Sequence, residues 1–140
     1  NMSQQSYCVV DLDTVMPSSL LFDFGDAIRS IISGCGEDDI RDNNEELKWH
    51  LVSAFSEGFF GATKHFMTDL ELKHLANACI LLPYMMGVRF LTDYLNENLY
   101  FSISYNNQNL DRARNQLELA QQISLERTRL EGIIEKALTS

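Results

Sequence analysis

The sequence predicts a mostly α-helical protein. Apolar residues recur every three or four positions in several long segments after Pro17, which is the spacing of one face of an α-helix. Only residues 7–10 (YCVV) have the β-branched and aromatic character of a strand. A length of 140 residues with 45% hydrophobic residues is enough for one core, so we expect a single domain over residues 1–140.

The strand candidate runs into DLDTVMP, where Asp, Thr and Pro are typical of the turn that leaves a strand. A lone strand cannot satisfy its own N–H and C=O groups. Its hydrogen-bonding partner should therefore come from another segment or another chain. Because an uncovered strand edge tends to pair, we expect a homodimer joined through this N-terminal region.

The first helix is expected within residues 18–33, with Ser18 or Ser19 as the N-cap and Gly34 as the stop. Its apolar positions are Leu21, Phe24, Ile28 and Ile32. Residues 35–44 are polar and acidic, which favours a surface loop. A second helix from about residue 44, ending near Gly61, is indicated by apolar positions at Leu47, Leu51, Ala54, Phe55, Gly58 and Phe59.

The longest apolar segment, residues 69–99, is expected to be the central helix, with a kink or break near Leu82 because Pro83 removes a backbone donor. The last segment should begin with Asn109 or Asp111 as its cap, and its helical spacing is lost at Arg127. The apolar repeat covers two heptads or fewer, which is too few for a coiled coil. In total, the sequence predicts one strand followed by four or five helices.

Charge and cysteine content exclude several classes of function. A net charge of −9 disfavours a nucleic-acid partner, since such proteins place Lys and Arg against phosphates. No continuous apolar run reaches the ~18–20 residues that span a bilayer, and the first residues lack signal-peptide features, so no membrane partner is expected. Cys8, Cys35 and Cys79 are odd in number and widely spaced, which favours reduced thiols and a cytoplasmic protein.

Two acidic residues, Asp11 and Asp13, follow the predicted strand. Side chains two positions apart on a strand point the same way, so the two carboxylates could share a hard cation at the strand end. The alternative is that they are turn residues, because Asp is favoured where a strand exits. No other metal site is indicated, since His50, His65 and His74 are too widely spaced for a helical pair.

Three segments carry a resemblance to a known family: CVVDLDTVMPSSLLFDFGDAIRS, GVRFLTDYLNENLYFSI and NQNLDRARNQ. In this order they resemble blocks of bacterial kinases related to N-acetylhexosamine 1-kinase, within the aminoglycoside and choline kinase family. The resemblance covers nearly the whole chain but less than half of the family's domain. It implies the helical C-terminal lobe of a protein-kinase-like, aminoglycoside phosphotransferase-type fold, with one short N-terminal strand or hairpin remnant.

The resemblance also implies residue roles. Asp11 would bind the magnesium that bridges the phosphates of ATP, and Asp13 would bind it through water or steady the turn. Arg89 and Tyr100 would contact an N-acetylhexosamine or related sugar. The open alternatives are an ion pair of Arg89 with Asp93 one helical turn later, and a partly buried aromatic role for Tyr100.

The DFGD sequence lies in a helical pattern, so Asp23 and Asp26 are expected to be structural, as helix caps or as partners of a catalytic loop. Ser30 stands where relatives tend to carry phenylalanine, and Ser18 where they carry glycine, which leaves the acceptor substrate open.

The family's catalytic H-x-D-x-x-x-x-N loop and its phosphate-binding lysine do not appear before Tyr7. We therefore expect no catalytic residue in this chain, no phosphotransfer by the chain alone, and no tightly bound Mg²⁺ or ATP. The alternative function is a non-catalytic helical module of kinase ancestry that binds a partner protein.

Overall fold

The computed structural model describes residues 15–39 and 46–139, and within them the chain is mostly α-helical with no strand. It contains α1 (Leu20–Ile32), α2 (Trp49–Thr63), α3 (Asp69–Leu95), α4 (Gln108–Leu125) and α5 (Arg127–Thr139). The prediction of a mostly α chain with four or five helices is confirmed for this part of the sequence. The predicted strand at residues 7–10 lies outside the described residues.

The long helix α3 is the centre of the fold. It packs against α4 and α1, and more lightly against α5, while α2 packs on α5 and α1. All five helices contribute side chains to one buried cluster of the described residues. Its main members are Phe24, Ile28, Ile32, Val52, Phe60, Leu75, Cys79, Leu119, Ile123, Leu130 and Ile134.

Helix α1 follows the sequence prediction closely. Ser19 is the N-cap, and its hydroxyl accepts a hydrogen bond from the Leu21 N–H at 3.3 Å. Three of the predicted apolar positions, Phe24, Ile28 and Ile32, are fully buried. The helix ends at Ile32, just before the predicted stop at Gly34.

The predicted apolar face of α2 is wrong in part. The helix buries Trp49, Val52, Ser56 and Phe60, whereas the expected core positions Leu51, Ala54 and Gly58 are exposed. Both sets have helical spacing, and the polar Ser56 conceals the true face in the sequence. The helix also continues past Gly61 to Thr63, since a helical glycine costs only about 1 kcal/mol relative to alanine.

A kink or break was expected near Leu82, and the break is wrong, because the helix continues through Pro83. Leu82 and Pro83 are both buried, so packing on either side of the proline holds the helix together against a cost of about 3 kcal/mol. The helix ends at Leu95 rather than at the expected Leu99. Glu97 and Asn98, just after its end, take left-handed backbone conformations.

By length and composition α3 could also cross a membrane, since an 18-residue window has a mean hydropathy of 1.4. Within the fold 44% of that window is buried, and the central helix of a packed core meets the same criteria.

The start of α4 differs from the prediction. The N-cap position is Asn107, and Asn109 lies inside the helix with no exposed surface. The side chain of Asn109 does not cap because it is bonded to the end of α3, as described below. The helix α4 ends at Leu125, close to Arg127, where its apolar spacing was expected to end, and a separate helix, α5, begins at Arg127.

Candidate functional site

The two sugar-binding candidates, Arg89 and Tyr100, lie next to each other. Arg89 is on the exposed side of α3, and Tyr100 is in the loop that follows this helix. The guanidinium carbon of Arg89 is 5.9 Å from the ring centre of Tyr100 and 5.5 Å from that of Phe101. These distances are within the range of cation–π attraction, which holds the arginine head over two aromatic rings.

An open cleft of about 340 Å³ is formed around this group. Apart from Phe101, its lining side chains all carry polar atoms, and they offer both donors and acceptors. The lining residues are Arg89, Thr92, Asp93, Asn96, Tyr100 and Phe101. The volume is at the lower end of that of small-molecule sites.

The proposed ion pair between Arg89 and Asp93 is not formed. Both carboxylate oxygens of Asp93 instead accept hydrogen bonds from the following loop, from Tyr100 N–H at 2.8 Å and Phe101 N–H at 3.0 Å. Besides its contacts with the two rings, the Arg89 guanidinium donates a weak hydrogen bond to the sulfur of Met86 at 3.5 Å. Nor is Tyr100 a partly buried aromatic, because 75% of its surface is exposed.

The carboxylate of Asp93 is part of a buried polar network that the sequence did not predict. Asn109 donates from Nδ2 to Asp93 at 2.9 Å and to Asn98 Oδ1 at 3.0 Å. Arg112 donates to Asn109 Oδ1 at 3.0 Å and also to Asp38. In the sequence, Asn109 is equally typical of a helix cap, so its buried position inside α4 is not evident from the sequence.

At the outer end of the network, Asp38 ties the loop after α1 to α4. Its carboxylate accepts hydrogen bonds from Arg112 and from Gln108 Nε2, the latter at 2.9 Å. These bonds, that from Arg112 first, lower the pKa of the Asp38 carboxyl below its usual value. The Asp38 carboxyl therefore stays charged at neutral pH.

A second, larger cleft of about 890 Å³ lies between α1 and α3. Arg89 lines this cleft as well, so its side chain stands between the two openings. Asp26 is ion-paired with Arg29 at 2.8 Å, and Asp23 lies in the first turn of α1. Ser30 donates its hydroxyl to the Asp26 carbonyl at 2.9 Å, away from the Arg89 cleft.

The predicted metal residues Asp11 and Asp13 lie outside the described residues. Within residues 15–39 and 46–139, no group of three or more His, Cys, Asp or Glu side chains could hold a metal ion. The magnesium assignment therefore stays a prediction.

Within residues 15–39 and 46–139 the fold has five helices, and Arg89, Tyr100 and Phe101 form an exposed cation–aromatic group beside the smaller cleft. A scan against models of known protein families gives no match to this sequence.

Proposed function

We propose that this chain is the C-terminal part of an ATP-dependent small-molecule phosphotransferase, and that the Arg89–Tyr100 cleft contacts its sugar substrate. An N-acetylhexosamine or a related sugar is the substrate class we infer. The observation that carries the proposal is the distance of 5.9 Å between the Arg89 guanidinium and the Tyr100 ring, because the resemblance assigns both residues to the sugar. Three sequence blocks in family order support the same conclusion.

The chemistry of the cleft suits a sugar. No carboxylate pairs with Arg89 among the described residues, so its N–H donors are available for hydroxyl or acetamido oxygens. The exposed Tyr100 offers a ring face for stacking on a sugar and a hydroxyl for a hydrogen bond. Thr92 and Asn96 add neutral polar groups at the rim of the same cleft.

In this proposal Asp11 would bind the magnesium that accompanies ATP, and Asp13 would bind it directly or through water. A divalent ion would offset the repulsion between these carboxylates and a triphosphate, which a chain of net charge −9 requires. We propose a cytoplasmic protein, since the three thiols suit a reducing compartment.

The sugar proposal can be tested by NMR titration of the chain. We expect N-acetylglucosamine or N-acetylgalactosamine at millimolar concentration to shift the amide signals of Arg89, Tyr100 and Phe101. Arg89→Met should abolish these shifts, because it removes the guanidinium donors. The matched control is Arg127→Met on α5, which removes the same charge from an arginine paired with Glu131, outside the cleft.

No shift around the cleft with either sugar would overturn the proposal, as would shifts that survive in Arg89→Met. Equal shifts with myo-inositol, which offers hydroxyl groups alone, would show that the cleft does not recognise the acetamido group.

A second candidate function, a partner-binding module, is favoured by the apolar surface of the α1–α3 cleft. Val15 is 76% exposed and Met16 66% exposed, and Phe22 and Met85 beside them are partly uncovered. Clustered apolar residues of this kind are typical of interaction sites. With the predicted strand nearby in the sequence, we propose a second copy of the chain as the partner. A strictly monomeric mass by light scattering at high concentration would contradict this.

A further inference from the structure

The loop between α3 and α4 carries Tyr100 and Phe101, and its path is set at its first residues. Glu97 has a φ of 63° and Asn98 a φ of 57°, both in the left-handed region. Asn98 N–H donates to the Asp93 carbonyl at 2.8 Å, which closes the turn at the end of α3. The chain therefore reverses sharply and returns toward the helix it has just left.

The Asp93 side chain then fixes the part of the loop that faces Arg89. It is 6% exposed and lies within the last turn of α3. Its Oδ1 accepts a hydrogen bond from Tyr100 N–H, and its Oδ2 accepts one from Phe101 N–H. Hydrogen bonds to a carboxylate are about twice as strong as those between neutral groups. A fixed backbone at residues 100 and 101 limits where the two aromatic rings can lie.

The buried Asn109 of α4 bonds the same carboxylate. Its amide donates to Asp93 and to the Asn98 side chain, and its oxygen accepts from Arg112. Arg112 also donates to the Ser102 carbonyl at 3.1 Å, further along the same loop. The loop is therefore bonded to both α3 and α4 at the point where it passes the cleft.

We propose that Asp93 is a positioning residue that holds Tyr100 against Arg89, with Asn109 holding Asp93 in place. Asp93 acts through the loop backbone and not by pairing with Arg89. Its effect on ligand affinity rests on the proposed sugar function, whereas its effect on the Arg89–Tyr100 arrangement does not.

The test compares Asp93→Asn and Asn109→Ala with Gln116→Ala. Gln116 is a matched control because it is a buried amide on the same helix as Asn109, and its side chain bonds Arg29 of α1 and Asn115 rather than the loop after α3. For each variant we would measure thermal stability, hydrogen exchange at the Tyr100 and Phe101 amides, the nuclear Overhauser effect between the Arg89 side chain and the Tyr100 ring, and N-acetylhexosamine affinity.

We expect Asp93→Asn and Asn109→Ala to speed exchange at both amides by about tenfold and to lose the Arg89–Tyr100 Overhauser effect. Sugar affinity should fall by about tenfold. Gln116→Ala should retain all three properties even where its thermal stability falls as much, which separates positioning from a general loss of stability.

Unchanged exchange and an unchanged Overhauser effect in Asp93→Asn would overturn the proposal whether or not a sugar binds. Loss of both with full sugar affinity would overturn the role in binding. If the unaltered chain binds no sugar, the proposed function fails, and the Overhauser effect still decides whether Asp93 positions Tyr100.

Discussion

Gly25 of α1 lies so close to α3 that a β-carbon at this position would be 2.8 Å from the carbonyl oxygen of Ala78. It would also be 2.9 Å from a methyl carbon of Leu82. The glycine of the DFGD sequence is therefore the point at which the two helices touch. Because the opposing atom belongs to the backbone of another helix, a side chain here would push α1 away from α3.

We expect Gly25→Ala to lower the free energy of unfolding by about 1–3 kcal/mol, the usual cost of overpacking. Gly61 of α2 is the matched control, because nothing lies within 4 Å of a β-carbon placed there. Gly61→Ala should raise the free energy of unfolding by about 0.5–1 kcal/mol, since alanine loses less backbone freedom on folding. Urea denaturation followed by circular dichroism measures both, and equal effects of the two changes would contradict this packing.

The fold was predictable where apolar spacing alone decides burial. Phe24, Ile28 and Ile32 define the buried face of α1 without ambiguity, and the structure agrees. In α2 the apolar residues surround much of the helix, so spacing could not show that Ser56 is buried while Leu51 is exposed. In α3 the outcome at Pro83 depended on packing by other helices, which no local pattern contains.

The candidate site was predictable only through resemblance. Spacing gives no reason for Arg89 and Tyr100 to meet, because the second residue lies beyond the helix end. Their approach depends on the left-handed turn at Glu97 and Asn98 and on the bond from Asn109 to Asp93 across the loop. Helical spacing alone suggests an ion pair of Asp93 with Arg89, because the contact of Asp93 with Asn109 on the next helix leaves no local signal in the sequence.

The second prediction concerns Glu71, which joins the starts of α1 and α3. One of its oxygens accepts from the Thr68 N–H at 3.0 Å, and the other accepts from the Ser19 hydroxyl at 2.9 Å. The Thr68 backbone bond, followed by the Ser19 bond, lowers the pKa of the Glu71 carboxyl from its ordinary value of 4.5. The charged form therefore stabilises the fold at pH values above 4.5, and this stabilisation is lost as the pH falls through the lower folded pKa.

Glu71→Gln should lower the melting temperature by a few degrees at neutral pH, and the difference from the unaltered chain should shrink below pH 4.5. Glu57→Gln on the exposed side of α2 removes the same charge and should have little effect. Melting curves across the acidic range measure both. A difference that is constant with pH would show that the Glu71 charge is not the stabilising feature.

The third prediction concerns Ser56, which is fully buried in α2. Within the described residues its hydroxyl is the one buried side-chain polar atom with no hydrogen-bond partner. An unpaired hydroxyl loses its bonds to water on folding and gains none in return. We expect Ser56→Ala to raise the free energy of unfolding by about 1 kcal/mol.

The control for Ser56 is Ser30→Ala on α1, since the Ser30 hydroxyl is exposed and bonded to the Asp26 carbonyl. That change should stay within about 0.5 kcal/mol of zero. A loss of stability in Ser56→Ala would mean that the hydroxyl has a partner in solution, such as a buried water molecule, and that removing it leaves a cavity.

The fourth prediction concerns the reactivity of Cys79, which faces the core from α3. Burial raises the pKa of its thiol from 9.0 to about 12, because the thiolate would lose its hydration. The neutral thiol therefore contributes to stability below pH 9, and this contribution is lost as the pH rises toward 12. At about pH 8 the thiol is therefore almost entirely neutral in the folded chain.

In a Cys8→Ser/Cys35→Ser double variant, Cys79 is the remaining thiol. We expect it to react with a disulfide reagent at the rate of global unfolding, so that the reaction is slow in buffer and immediate in guanidinium. The matched variant Cys8→Ser/Cys79→Ser leaves Cys35, which is only partly buried and should react faster in the folded state. Rapid labelling of Cys79 without denaturant would show that α3 separates locally from α1 and α4, and that the centre of the core is less stable than its burial indicates.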